Sequence, residues 1–415
     1  MALAASVKSD HGRQFRASGV GEARVSENHR KMSVVHLATR LTLAGVGNVV
    51  KTLVMGFDAS SYSTEIWCLE DLDVVGEELR AAGRAVLNLQ KCRRRDLPLF
   101  FRLATLIRQN HVDMLHCHDE LSWFYGTIGA RLGGLKRIVF TVHGRRFDTS
   151  ARHTWEQRIL GSMSAAVVCV SSSLRQEMIE KVGISSSKAI VIRNGTPIPA
   201  VHTAVRMRQQ ARRGLRISDS AIVIGSIGRL DSVKNLDLLL EASADVLDRI
   251  PNIEIILAGE GPSKEKLVQK AVRLGISDKV HFLGLRKDVP DLLSAIDIYT
   301  CTSDREGISL SILEAMAAAR AIIATAVGGN LELIESGKTG LLIDRGDRPA
   351  LADAIAALAN DTGHRQRLGR QAAQAVETNF SVERMLLDYD RLYHSLISAC
   401  PNFDGPISSR RQFFS

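Results

Sequence analysis

Ala221-Ile222-Val223-Ile224-Gly225-Ser226-Ile227 is an apolar run with Gly225 inside it and Gly228 at its end. Behind it, Lys234–Ile250 places Leu236, Leu239, Leu240, Leu247 and Ile250 on one helical face. A short apolar strand followed by an amphipathic helix is the repeating unit of a parallel sheet covered on both faces. The pattern continues with strands predicted at Ile253–Ala258, Val280–Leu283, Ile298–Cys301, Ala321–Thr325 and Gly340–Ile343, each separated by helical sequence. It also runs backwards. Lys31–Val35, extended by His36 and Leu37, reads as a strand, Gly45-Val46-Gly47 as a glycine loop, and Val49, Val50, Leu53, Val54 and Phe57 as a helix face. More strands are expected at Thr64–Leu69, Val86–Leu89, Met114–Cys117, Arg137–Val142, Ala166–Val170 and Ile190–Arg193, with amphipathic stretches at Leu99–Gln109 and Leu174–Val182 between them.

The alternation predicts two consecutive α/β units facing a shared cleft. We expect the first over 31–198 and the second over 199–380, joined beyond the turn dipeptide Asn194-Gly195 and past Pro197 and Pro199. Residues 381–398 read as a helix with Met385, Tyr389, Leu392, Tyr393 and Leu396 on one stripe, crossing back to the first unit. Residues 1–30 read as a disordered leader without an apolar signal region, and 399–415 as a flexible tail.

Composition is ordinary for a globular protein: 45% apolar and 24% charged over 415 residues, with 32 Gly and 9 Pro. Fibrous and wholly disordered chains are excluded. No apolar run is long enough for a membrane span. The six cysteines form no CxxC pair, which points to free thiols in a reducing cytoplasm. The net charge of +9 lies in the first half. Residues 1–200 carry 27 Lys+Arg against 18 Asp+Glu, and the remainder carries 27 of each. Such a half suits phosphates or an anionic surface. A nucleic-acid module is not favoured, because aromatics are only 5% and do not interleave with the basic runs.

Chemistry concentrates after the strand Ile298–Cys301, in Ser303-Asp304-Arg305-Glu306-Gly307-Ile308-Ser309-Leu310-Ser311-Ile312-Leu313-Glu314-Ala315-Met316-Ala317. Ser309 is a candidate helix cap. The backbone amides from Gly307 through Ile308 and Ser309 to Leu310 would then form an anion site suited to a diphosphate. Glu306 and Glu314 deliver carboxylates to two separate places, and carboxylates accept hydrogen bonds from paired hydroxyls. Gly228-Arg229-Leu230 and Val233-Lys234-Asn235 bring two cations to the same cleft mouth. Two fixed cations favour a diphosphate leaving group, whose charge grows as it departs. His116-Cys117-His118 ends another strand. Its two imidazoles share a face, but no clear further ligands stand nearby, so a metal is not expected. Asp71-Leu72-Asp73 formally matches an acidic metal motif, yet sits in a surface-like acidic stretch.

The Glu306-Gly307 pair, six residues and Glu314-Ala315-Met316-Ala317 resemble the E-x7-E signature of retaining GT-B glycosyltransferases, specifically family 4. The resemblance covers about residues 31–395 and includes Gly228-Arg229-Leu230 with Lys234-Asn235. It implies a GT-B fold of two Rossmann-like domains. It also implies transfer of a sugar from a nucleoside diphosphate sugar to a hydroxyl acceptor with retained anomeric configuration. Glu306 would hold the donor sugar hydroxyls and Glu314 the ribose hydroxyls, while Arg229 and Lys234 would hold the diphosphate. Gly45 and Gly47 would close over the donor, with Ala44 standing where the family often has a further glycine. His118 would lie near the reacting centre and His143 on the acceptor side. Gly259-Glu260-Gly261-Pro262 and Gly284-Leu285-Arg286 would border the base. The family context implies a glycan or lipid-linked acceptor, no required metal or other cofactor, and a cytoplasmic enzyme. Lys91-Cys92-Arg93-Arg94-Arg95, before the apolar Leu97–Gln109 stretch, would let it touch the inner face of the plasma membrane. A nucleotide-sugar epimerase or a phosphorylase of the same architecture is the competing reading.

Overall fold

The computed structural model describes residues 30–42, 45–91, 96–144, 150–198 and 204–398. Two parallel sheets organise it. The first contains β1 (Met32–Ala38), β2 (Tyr62–Cys68), β3 (Ala85–Asn88), β4 (Met114–Cys117), β5 (Ile138–Val142), β6 (Ala166–Cys169) and β7 (Ala189–Val191), ordered β3-β2-β1-β4-β5-β6-β7. The second contains β8 (Ile222–Ile227), β9 (Ile253–Ala258), β10 (Val280–Gly284), β11 (Ile298–Cys301), β12 (Ala321–Thr325) and β13 (Leu341–Ile343), ordered β10-β9-β8-β11-β12-β13. This is an α/β fold with two Rossmann-like units. Strand positions agree with the sequence pattern to within a few residues, because buried parallel strands read as continuous apolar runs. β4, β5, β6, β11 and β12 are buried at every position.

In each sheet the strand order reverses once, between β1 and β4 and again between β8 and β11. Ligands of open parallel sheets sit beyond the carboxyl ends at such switch points. His36 and His116 pair across the first switch. The second is followed by Gly228-Arg229 on one side and the Ser303–Glu306 turn on the other.

One local expectation fails. The helix predicted from Lys234 begins later, at Leu236, and runs to Leu247. Ser232–Lys234 forms a separate 3-10 turn capped by Asp231, and Asn235 is left-handed between the two. Asn tolerates that conformation and donates from its amide to Asp304. Lys234 is thus turned out of the helix rather than leading it.

The last helix, Val382–Ser398, lies against the first unit. Met385, Tyr389, Leu392, Tyr393 and Ile397 share an apolar cluster with β1, β4, β5 and β6 residues. Tyr62 also donates to Asp390 at 2.6 Å. Two stretches run side by side at the joint between the units, where Thr196 bridges Ser381 and donates its N–H to the Phe380 carbonyl.

Candidate active site

On the second sheet, two loops are stitched together beyond β8 and β11. The Asp304 N–H donates to the Val233 carbonyl, and the Thr302 hydroxyl to the Lys234 carbonyl. This brings Lys234 Nζ to Glu306 Oε1 at 2.6 Å, with Ser303 Oγ donating to the same oxygen at 2.7 Å. Burial pulls the Lys234 ammonium down, but Glu306, with Cys301 and Asp231, outweighs it and holds the group above the ordinary lysine value. Arg229 occupies the same loop, 68% exposed, with Asp231 3.5 Å from its guanidinium. It is therefore a cation with freedom to reach a ligand.

Ser309 caps the helix Leu310–Ala317 by accepting from the Ile312 N–H. Glu314 stands on that helix, and burial pushes its carboxyl up to about 7. Ile308 is buried beneath the turn. A Cβ at Gly307 would collide with the carbonyl oxygen of His143. The Glu306-Gly307 turn thus meets the opposite unit directly.

The first sheet contributes imidazoles. His118 follows β4, where Asp119 caps the next helix through the Ser122 N–H and binds the Thr39 N–H and hydroxyl. His118 Nε2 lies 3.0 Å from His36 Nδ1, and His118 Nδ1 lies 3.4 Å from His143 Nε2. His116 meets the Tyr393 hydroxyl at 2.6 Å and the Thr141 hydroxyl at 2.7 Å. Thr141 in turn contacts the Tyr389 hydroxyl. Burial lowers His36 to about 3 and His143 to about 4. Burial and then the neighbouring rings hold His116 and His118 well below the ordinary value. All four are neutral at pH 7.

His36, His116 and His118 each offer a nitrogen within 4.8 Å of the others, a spacing that could hold a metal ion. The pair spacing alone did not reveal His36, the third imidazole. Both His116 nitrogens and both His118 nitrogens already have hydrogen-bond partners, whereas His36 Nε2 is buried with none among the described residues. The arrangement is thus a hydrogen-bonded imidazole network first.

The remaining predicted residues scatter more widely. Gly45, at φ 61, caps the helix Val46–Gly56, and Gly47 lies tight against the Thr42 carbonyl. Ala44 lies outside the described residues, as do Cys92, Arg93, Arg94 and Arg95. Leu97 and Phe101, just beyond that basic run, are exposed, while Phe100, Leu103 and Ile107 are buried. Gly259 and Gly261 support the Arg229 loop by close backbone contact with Gly228 and Leu230. Arg286 is engaged with Asp288. Asp73 opens the helix Asp73–Ala81, and Asp71 just before it is 79% exposed with Arg40 at 3.8 Å. Among the described residues no helix is long and apolar enough to cross a membrane.

Residues 207–375 match the family described as "Glycosyl transferases group 1", and residues 43–198 match "Glycosyltransferase Family 4". A D-inositol 3-phosphate glycosyltransferase of Corynebacterium urealyticum is 31% identical over 310 residues, covering 68% of this chain and 72% of that one. The chain belongs to the GT-B group 1 glycosyltransferases. Another similar glycosyltransferase is the UDP-Gal:alpha-D-GlcNAc-diphosphoundecaprenol alpha-1,3-galactosyltransferase of Escherichia coli, 23% identical over 81% of this chain and 90% of that one. The solved structure of Anabaena HepE in complex with UDP and glucose has the same fold. Its TM-score is 0.78 at 22% identity, covering 88% of this chain and 100% of that one. Within this glycosyltransferase, sequence reasoning missed His36, Ser303, Thr141 and the two tyrosines Tyr389 and Tyr393.

Proposed function

We propose that this glycosyltransferase moves a sugar from a uridine diphosphate sugar to a hydroxyl of a glycan or lipid-linked acceptor, with retained anomeric configuration. One observation carries the reading: Lys234 Nζ and Glu306 Oε1 meet at 2.6 Å beyond the switch point of the second sheet, with the exposed Arg229 on the same loop as Lys234 and Glu314 on the helix that follows Glu306. UDP is favoured as the nucleotude carrier because the E. coli relative's name and the HepE title both contain it.

In this reading Arg229 and Lys234 bind the diphosphate and stabilise the charge that builds on it as the glycosidic bond breaks. Lys234 is held by Glu306 until a donor arrives, so neither charge is buried alone. Glu306 then accepts from the sugar hydroxyls and Glu314 from the ribose. The anomeric carbon becomes electron-poor, and the neutral His143, backed through its Nε2 by the buried His118, can donate or accept a hydrogen bond beside it without adding positive charge. The acceptor hydroxyl attacks from the face the diphosphate leaves, and a leaving phosphate oxygen takes its proton. The two cations do the work that a metal ion does elsewhere, so no metal or other cofactor is required. The acceptor lies on the first unit, near His143. Arg93, Arg94 and Arg95, followed by the exposed Leu97 and Phe101, support a reading of contact with an anionic inner leaflet at the cytoplasmic membrane face, whereas Lys91 is turned inward onto Glu70 and takes no part in it.

The test is a thermal-shift panel of nucleotides and nucleotide sugars on the full chain, since a ligand of the native state raises its melting point. UDP and one UDP-sugar should stabilise the protein more than the adenine and guanine counterparts. A panel with no stabilisation by any nucleotide would contradict the reading.

A further inference from the structure

Glu332, on the short helix Asn330–Leu333 of the second unit, binds the first unit through both carboxylate oxygens. Oε1 accepts from the Ser172 N–H at 2.6 Å and the Ser173 N–H at 3.3 Å. Oε2 accepts from Arg193 Nη2 at 2.9 Å, Arg193 Nε at 3.1 Å and the Ser172 hydroxyl at 3.2 Å. Arg193 directly precedes the Asn194-Gly195 joint. Five hydrogen bonds onto one carboxylate form a dense cross-link between the units, and they include the charge-assisted kind that is strongest.

The same short helix also supports the catalytic turn. It starts after Gly328-Gly329, and a Cβ at either glycine would collide with the Glu306 or Gly307 carbonyl. The Gly329 N–H donates to the Glu306 carbonyl at 3.2 Å. One continuous path therefore runs from the joint through Glu332 and Gly328-Gly329 to Glu306. A second cross-link stands apart from it, where Lys287 reaches Glu78, which also accepts from Lys51. That one touches neither the joint nor the turn.

The geometry points to Glu332 as a positioning residue: its clamp on Ser172, Ser173 and Arg193 sets the approach of the two units and, through Gly328-Gly329, the placement of Glu306. It touches no reacting group itself. The inference rests on the donor reading above for its kinetic consequence, but not for the clamp.

The test uses the full chain carrying Glu332→Gln and Arg193→Gln, singly and together. UDP affinity is read by calorimetry, turnover by UDP release from a UDP-sugar the wild type accepts, and domain spacing by small-angle scattering with UDP present. Glu332→Gln should lower kcat at least about tenfold while leaving the UDP Kd within about threefold, because the nucleotide's proposed contacts lie on the second unit. The radius of gyration should increase. The double variant should be about as slow as the Glu332 variant alone, since both side chains serve one clamp. Unchanged kcat with an unchanged radius of gyration overturns the proposal, as does a loss carried entirely by Kd. If Glu332→Gln fails to fold, Arg193→Gln carries the same split between kcat and Kd. If the wild type neither binds UDP nor turns over any UDP-sugar, the donor reading fails. Scattering of the unliganded chains then decides the clamp, with equal radii overturning it and a larger radius in the variants supporting it.

Discussion

The cleft wall at β1 and β4 and the wall at β8 and β11 share one topology, each built where strand order reverses, yet their chemistry is opposite. The first presents His36, His116, His118 and His143, all buried or partly buried and all neutral. The second presents Arg229, Lys234 and Glu306 as charges, with Lys234 and Glu306 2.6 Å apart. The same scaffold thus supplies fixed charge on one side and uncharged hydrogen-bonding groups on the other. A diphosphate needs the former. A sugar carbon turning electron-poor tolerates the latter better than it would a row of imidazolium ions.

The division predicts unequal mutational costs. The largest belongs to the charged wall: Lys234→Ala should lower kcat by about 10²-fold or more, as should Arg229→Ala, from the loss of one preorganised charge partner. Steady-state kinetics with the accepted donor would show it, and rates equal to wild type would remove the assigned role. Next is the seam between the walls. Gly307→Ala must push the turn away from the His143 carbonyl. A displacement near an ångström costs about 10²-fold in rate. The expected signature is lost kcat with a folded circular dichroism spectrum.

Glu314→Ala should chiefly raise the donor KM, and a pure kcat loss would speak against ribose binding. Its carboxyl also gives the clearest pH signature. The raised value, about 7, means the folded state keeps the proton longer than the unfolded chain. That stabilising contribution is full below the ordinary carboxyl range and disappears as pH rises through about 7. Donor affinity should move the other way, improving as the group ionises, and Glu314→Gln should flatten the profile. The smallest effect belongs to the neutral wall. His143→Gln should cost about five- to tenfold, one neutral hydrogen bond, and should leave the pH profile between 6 and 8 unchanged, because His143 lies near 4. A histidine-dependent inflection near 6.5 would blur the contrast between the walls.

Much of this was legible along the chain. Apolar runs alternating with helical periodicity gave the strands of both sheets, and the Glu306–Glu314 segment was readable as the turn and helix that follow β11. Ser309 was readable as a cap because capping depends on residues close in sequence. What escaped depends on distance. His36 sits in an apolar strand and means nothing until β1 pairs with β4, 82 residues from His118. Tyr389 and Tyr393 read as core stripe residues, yet their hydroxyls reach the first sheet's polar network. Lys234 read as a helix start because the left-handed turn at Asn235 leaves no trace in the apolar pattern. Glu332 lies beyond the signature segment, and its partners are 139 to 160 residues away.

The most direct test of the account is a structure of this chain with UDP bound. The account predicts the diphosphate within about 3 Å of Lys234 Nζ and the Arg229 guanidinium, with the ribose hydroxyls on Glu314. A nucleotide bound elsewhere, leaving Lys234 on Glu306 and Arg229 in solvent, would contradict it.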